Sequence, residues 1–179
     1  MVIVHDYWLD GKTSQGILYV RSAEAQRCPI CGRGLTVSGS RRRGLIEYSG
    51  EKKILRIRRL WCDRCRRIHH ELPDIVVPYK RYGAEAIENI LTDKPEKADD
   101  YPCEISTARR IKLWFFLLRE YYESAMESIR AYWEEDKEIA AVISRLLPLS
   151  EHHHFPAGWL RTLVRILVNS NRWLHTRFA

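Results

Sequence analysis

Four of the five cysteines stand in two C-x-x-C motifs, Cys28-Pro-Ile-Cys31-Gly and Cys62-Asp-Arg-Cys65, with thirty residues between the inner members. Such a turn aims both of its sulfurs at one point, and two turns at the ends of a hairpin complete the tetrahedron that suits zinc. Gly32 lets the chain turn beneath the metal, while Arg27, Arg33, Arg64, Arg66 and Arg67 bring positive charge to four thiolates. Disulfides would need an oxidising compartment, and Met1-Val2-Ile3-Val4-His5-Asp6 carries no secretory signal; a redox pair would need one motif at a helix start, not two. The expectation is a structural Zn2+ on Cys28, Cys31, Cys62 and Cys65, closed to substrate because four sulfurs leave no position for water. It would staple a small β-unit short of core of its own. His69 or His70 is an alternative ligand, whereas consecutive His152, His153 and His154 cannot all face one ion.

The chain between the knuckles reads as a basic hairpin. Leu35-Thr36-Val37, Arg41-Arg42-Arg43 and Leu45 to Tyr48 form the first strand, Ser49-Gly50-Glu51 the turn, and Lys53 to Trp61 the second strand. Period-two alternation puts Leu55, Ile57, Arg59 and Trp61 on one face and Arg56, Arg58 and Leu60 on the other. Symmetric pairing about the turn brings Arg41–Arg43 beside Arg56–Arg59. Like charges across a sheet are destabilising, so such a ribbon is easiest to explain with phosphates over it. Residues 21–81 hold sixteen Lys or Arg against six Asp or Glu, although the whole chain is only +7. That concentration is the footprint of a polyanion, nucleic acid before an anionic membrane.

The rest reads as helical. Residues 74–82 form an extended connector, residues 83–91 a short helix, and Ser106 caps a long helix to about residue 135, with its apolar stripe at Ile111, Phe115, Leu118, Tyr122, Ala125, Ile129 and Tyr132. Helices over Ile139 to Leu147 and from Trp159 to about Phe178 complete an antiparallel bundle. The fold class is therefore α+β: an N-terminal β segment (1–20), a zinc ribbon (21–75) and a helical domain (76–179) that starts like a helix-turn-helix. Thr107, Arg109, Arg110 and Lys112 stand where such a reader presents its first turns to DNA.

The strings Arg56-Ile-Arg-Arg-Leu-Trp-Cys62, Arg67-Ile-His-His-Glu-Leu-Pro-Asp74, Val77-Pro-Tyr-Lys-Arg-Tyr82 and Ser106-Thr-Ala-Arg-Arg110 resemble an uncharacterised family of short Firmicutes proteins often encoded with mobile elements. That family is similar in turn to the zinc-ribbon and helix-turn-helix leader of bacterial DDE transposases. The resemblance spans about residues 25–120 and implies a DNA-linked role without a mechanism.

Catalysis is not expected. A transposase nuclease needs three carboxylates on a larger fold, Gly11-Lys12-Thr13 lacks the earlier glycine of a P-loop because Asp6 stands there, and Cys103 has no base near it in sequence. The expected function is a cytoplasmic, non-catalytic DNA-binding accessory protein. Its contacts would be Arg41, Arg42, Arg43, Lys53, Arg56, Arg58, Arg59, Arg66, Arg67, Lys80, Arg81, Thr107, Arg109, Arg110 and Lys112. Double-stranded DNA is the expected partner, with a transposase, recombinase or polymerase and a second copy through the bundle also possible, and no membrane. The alternatives are an adaptor on such an enzyme, or an RNA-binding ribbon with Tyr48, Trp61, Tyr79 and Tyr82 stacking on bases.

Overall fold

The computed structural model describes residues 1–11, 16–92, 101–133 and 136–174. Lys12 and Thr13 of the rejected P-loop string lie outside these residues, as do residues 134–135 at the expected end of the long helix and Phe178. Six strands come first: β1 (Val2–Val4), β2 (Tyr7–Asp10), β3 (Ile17–Ser22), β4 (Thr36–Ile46), β5 (Lys52–Cys62) and β6 (Arg67–Pro73). β4 and β5 form the long hairpin, with Arg42 opposite Arg56. Its turn is closed by the Glu47 amide donating to the Glu51 carbonyl at 2.9 Å, and Gly50 supplies the left-handed residue (φ +82°) that the reversal requires.

The second edge of β5 is forked. Its first half pairs in parallel with β3 (Tyr19 beside Arg56), and its second half pairs antiparallel with β6 (Arg59 beside His70). β2 then adds to β3, and β1 adds in parallel to β6. Residues 1–20, expected as a separate segment, thus complete the same six-stranded mixed sheet. Beyond the fork the two cysteine turns cover the face that Arg56 occupies, so burial changes sides: Leu55 and Ile57 are buried on one face, Leu60 and Cys62 on the other. The alternation itself, with Arg59 and Trp61 on the face of Leu55 and Ile57, runs unbroken along β5.

The helices are α1 (Ala84–Thr92), α2 (Ile105–Tyr132), α3 (Lys137–Arg145) and α4 (Trp159–Asn169), with a 3-10 segment at Leu149–His154. They do not stand as a free bundle. Trp114, Phe115, Tyr122, Leu160 and Leu163 share one core with Ile3, Val20, Leu55 and Ile57, and α4 packs against β1. The connector is not extended: turns close from the Val76 amide to the Pro73 carbonyl and from the Lys80 amide to the Val77 carbonyl, burying Val76 and Val77. Residue 104, not Ser106, is the N-cap of α2, and Tyr132 is 82% exposed at the far end of the stripe. α4 stops at Asn169 because Asn171 turns left-handed (φ +56°), so Leu174 is off the helix.

Two polar side chains lock this layer, one within it and one to the sheet. Buried Glu88 of α1 accepts from the Gly158 and Leu160 amides at 2.7 and 3.0 Å, capping α4 from another helix. Asn169 accepts from the Ile3 amide at 2.8 Å and donates to the Ile3 carbonyl at 3.0 Å, which satisfies the outer edge of β1.

Candidate metal centre and nucleic-acid interface

Cys28 and Cys31 sit in the turn before β4, and Cys62 and Cys65 in the turn from β5 to β6. The first turn is closed by the Gly32 amide to the Cys28 carbonyl (2.8 Å), with Gly32 left-handed at φ +73°. Because Cys62 ends β5 and Thr36 opposite Trp61 begins β4, the four sulfurs close the open end of the long hairpin.

The four sulfurs lie within 4.8 Å of one another. Cys31 and Cys62 are 3.6 Å apart, and Cys28 and Cys65 are 3.9 Å apart. Four sulfurs at about 2.3 Å from a tetrahedral zinc stand about 3.8 Å from each other, whereas a disulfide needs about 2.05 Å. The cysteines are accordingly free thiols arranged to hold a metal. Their acidities fit the same reading. The Arg33 amide holds the Cys31 thiol down at about 7, while hydrogen bonding to Cys31, with burial and the remaining sulfurs, pushes Cys65 up to about 12. Four thiolates this close need a cation to ionise together. His69 stands beside the set, with Nε2 3.5 Å from the Cys28 sulfur, and burial pushes it down to about 4. It is placed to support a ligand rather than to be one.

The basic residues divide into structural and exposed sets. Arg58 does not project beside Arg56 into solvent: Nε and Nη2 donate to the two carboxylate oxygens of Glu71 at 2.6 Å each, and Nη2 also donates to the Ser22 carbonyl at 3.1 Å. Glu71 is on β6 and Ser22 ends β3, so Arg58 stitches the fork of β5. Lys53 is held by Glu47 at 2.7 Å, and Arg43 donates to the Lys80 carbonyl. Buried Lys80 lies 4.3 Å from the centre of the Trp114 ring, and Lys112 reaches the Tyr101 hydroxyl at 3.4 Å.

Arg42 and Arg56 are paired across the hairpin on the face turned from the helices, with the Arg56 Nε donating to Ser40 Oγ at 2.9 Å. The parallel pairing sets Tyr19 beside Arg56, and the β2 pairing sets Trp8 beside Arg21 on the same face. Arg21 lies 5.4 Å over the Tyr19 ring, and Trp8 is 57% exposed. Arg42, Arg56, Arg21, Tyr19 and Trp8 thus span four strands, about 14 Å at the usual strand spacing; the exposed carboxylate of Asp10 borders them. Sequence reasoning missed Trp8, Tyr19 and Arg21, since only the long-range pairing of β3 with β5 brings them to the hairpin.

Arg41, Arg43 and Arg59 lie on the opposite face, where burial, then Arg41, lowers the pKa of His70, with Arg59 and Arg43 adding to the effect. Beyond Arg43 a cavity of about 390 Å³ is lined by Tyr79, Lys80, Arg81, Tyr82, Thr107 and Arg110. It joins the connector to the first turns of α2, where Arg110 donates to Thr107 Oγ1 at 3.2 Å. Arg66 and Arg67 are exposed at the second knuckle, and Arg109, exposed on α2, does not line the cavity. α1 and α2 pack together, and among the described residues no helix lies between them. None of the described helices is long and apolar enough to cross a membrane.

Residues 28–111 match the family described as "Domain of unknown function (DUF6431)". The matched span runs from the first metal-site cysteine to the first turns of α2. No curated protein and no solved structure matches the chain.

Proposed function

We propose that the four cysteines hold one zinc ion and that the hairpin it closes is the grip of a non-catalytic DNA-binding accessory protein. The observation that carries this reading is the direct pairing of Arg42 with Arg56 on the sheet face turned from the helices, beside Arg21 and midway along the hairpin whose open end the metal closes. Among the described residues neither Arg42 nor Arg56 has a carboxylate partner, while Arg58 and Lys53 of the same hairpin do. The uncompensated repulsion is relieved by a phosphate backbone laid across the strands. Zinc contributes by fixing the open end of the hairpin so that the arginines are ordered before DNA arrives, which lowers the entropic cost of binding.

The cavity at Arg81 and Arg110 lies on the other side of the sheet, beyond Arg43, and offers a second basic surface at the start of α2, as the resemblance to a helix-turn-helix leader implies. A link to mobile elements rests on that resemblance alone. Trp8 and Tyr19 on the arginine face support a second reading, in which the strand bound is unpaired and its bases stack on these rings.

Fluorescence anisotropy with a labelled duplex tests the proposal. Affinity is expected to fall log-linearly with salt, by about 0.9 per phosphate neutralised, and Arg42→Glu with Arg56→Glu should weaken binding and reduce that slope by about 2. Tighter binding to a single strand than to its duplex would select the second reading. No binding to either at low ionic strength would overturn both.

A further inference from the structure

The outer side of α2 is apolar at its middle and charged at its ends. Leu113, Phe116 and Leu117 are 55, 62 and 60% exposed, while Trp114 and Phe115 between them are buried. On a helix these three fall on one side, with Tyr121 one turn further on. Scattered single apolar residues on a surface need no explanation; a contiguous patch rimmed by charge marks an interaction surface.

The rim identifies the partner. Arg109 lies two turns before Phe116, and Glu120 and Glu127 follow it; at about 100° per residue all four side chains leave the helix within about 40° of one another. All three charged residues are exposed, and none has an ion-pair partner among the described residues. The strip therefore reads positive, apolar, negative along its length. Such a strip is complementary to itself when reversed: two antiparallel copies crossing at Phe116 and Leu117 bury each other's apolar middle and set each Arg109 within reach of the other's acidic end. Parallel copies would place like charges together. Phe116 is already held for this contact, with the Arg119 guanidinium 5.4 Å over its ring.

We infer that this face of α2 is an isologous interface joining two copies of the chain antiparallel to one another, with Leu113, Phe116 and Leu117 at its centre. The surface is separate from the metal centre and from the arginine face, so it stands or falls independently of the proposed function.

Sedimentation velocity on the zinc-loaded full chain tests it. The expected species has a mass of about 42 kDa, twice the 21.2 kDa chain. Phe116→Glu should weaken self-association at least about 30-fold, as loss of a central interface residue does, with unchanged circular dichroism and metal content. Leu113→Gln is a milder second variant should Phe116→Glu misfold. Arg109→Glu should weaken the dimer, and Arg109→Glu combined with Glu127→Arg should restore it. A wild-type chain monomeric at about 100 μM, well above the Kd of a specific dimer, would overturn the inference. So would a dimer indifferent to Phe116→Glu and Leu113→Gln, or a charge swap that fails to restore association.

Discussion

Replacing Arg58 with alanine should destabilise the protein while leaving the proposed DNA contact of Arg42 and Arg56 in place, the reverse of what its position in a basic hairpin suggests. Glu71 has no exposed side-chain surface and is met by two Arg58 N–H groups at 2.6 Å. Removing one member of a buried pair costs about 3–5 kcal/mol because the other charge is left uncompensated. The Arg58 side chain is 31% exposed, so water screens its end of the pair and the lower bound, about 3 kcal/mol, is the better figure. Loss of the bond to the Ser22 carbonyl adds about 1 kcal/mol. Against a typical stability of about 5–15 kcal/mol this is a large fraction. Urea unfolding of the zinc-loaded protein, followed by circular dichroism, would show the midpoint fall. Arg56→Ala, at a half-buried position without a carboxylate partner, should cost less than about 1 kcal/mol, the worth of its bond to Ser40. Arg58→Met combined with Glu71→Leu should lie within about 1 kcal/mol of wild type, since both charges leave together. If Arg58→Ala alone were as stable as Arg56→Ala, the pair would not be the stitch at the fork of β5.

Glu88→Ala should cost about 2–3 kcal/mol, because a buried and a half-buried amide at the start of α4 lose a charged acceptor, and Glu88→Gln about half as much; thermal melts of the three proteins check the order. Asn169→Ala should free the outer edge of β1, seen as faster hydrogen exchange at Ile3 together with a loss of about 1–2 kcal/mol. Burial lowers Lys80 from 10.5 to about 8. Between those values the unfolded chain holds the extra proton, so this group's contribution to stability rises as pH increases from about 8 to 10.5 and is absent from the Lys80→Met protein. Equal pH slopes for the two proteins over that window would contradict the burial of Lys80.

What was legible in the sequence was local. The two C-x-x-C motifs announce the metal set, Gly50 marks the turn that puts Arg42 opposite Arg56, and the three-and-four spacing from Ile111 to Ile129 marks the buried side of α2. Features that depend on distant chain segments left no such trace. The parallel pairings of β3 with β5 and of β1 with β6 join stretches more than thirty residues apart, and nothing in a short apolar run names its neighbour. Arg58 looked like one arginine among several; only the fork shows that Glu71 faces it. Glu88 and Asn169 sit in helical patterns as ordinary polar residues, yet each satisfies backbone of another element, and Asn171 breaks a repeat that otherwise runs on toward residue 174.

The central claim is that one thiolate-bound ion holds the arginine hairpin in shape. Zinc-edge X-ray absorption on the purified chain, with metal content counted by native mass spectrometry, addresses it directly. One zinc per chain with four sulfur neighbours at about 2.3 Å is the expected result, together with loss of the slow-exchanging amides of β4 and β5 when a chelator removes the ion. A chain whose hairpin stays protected without metal would contradict the account, as would an ion whose shell includes nitrogen from His69.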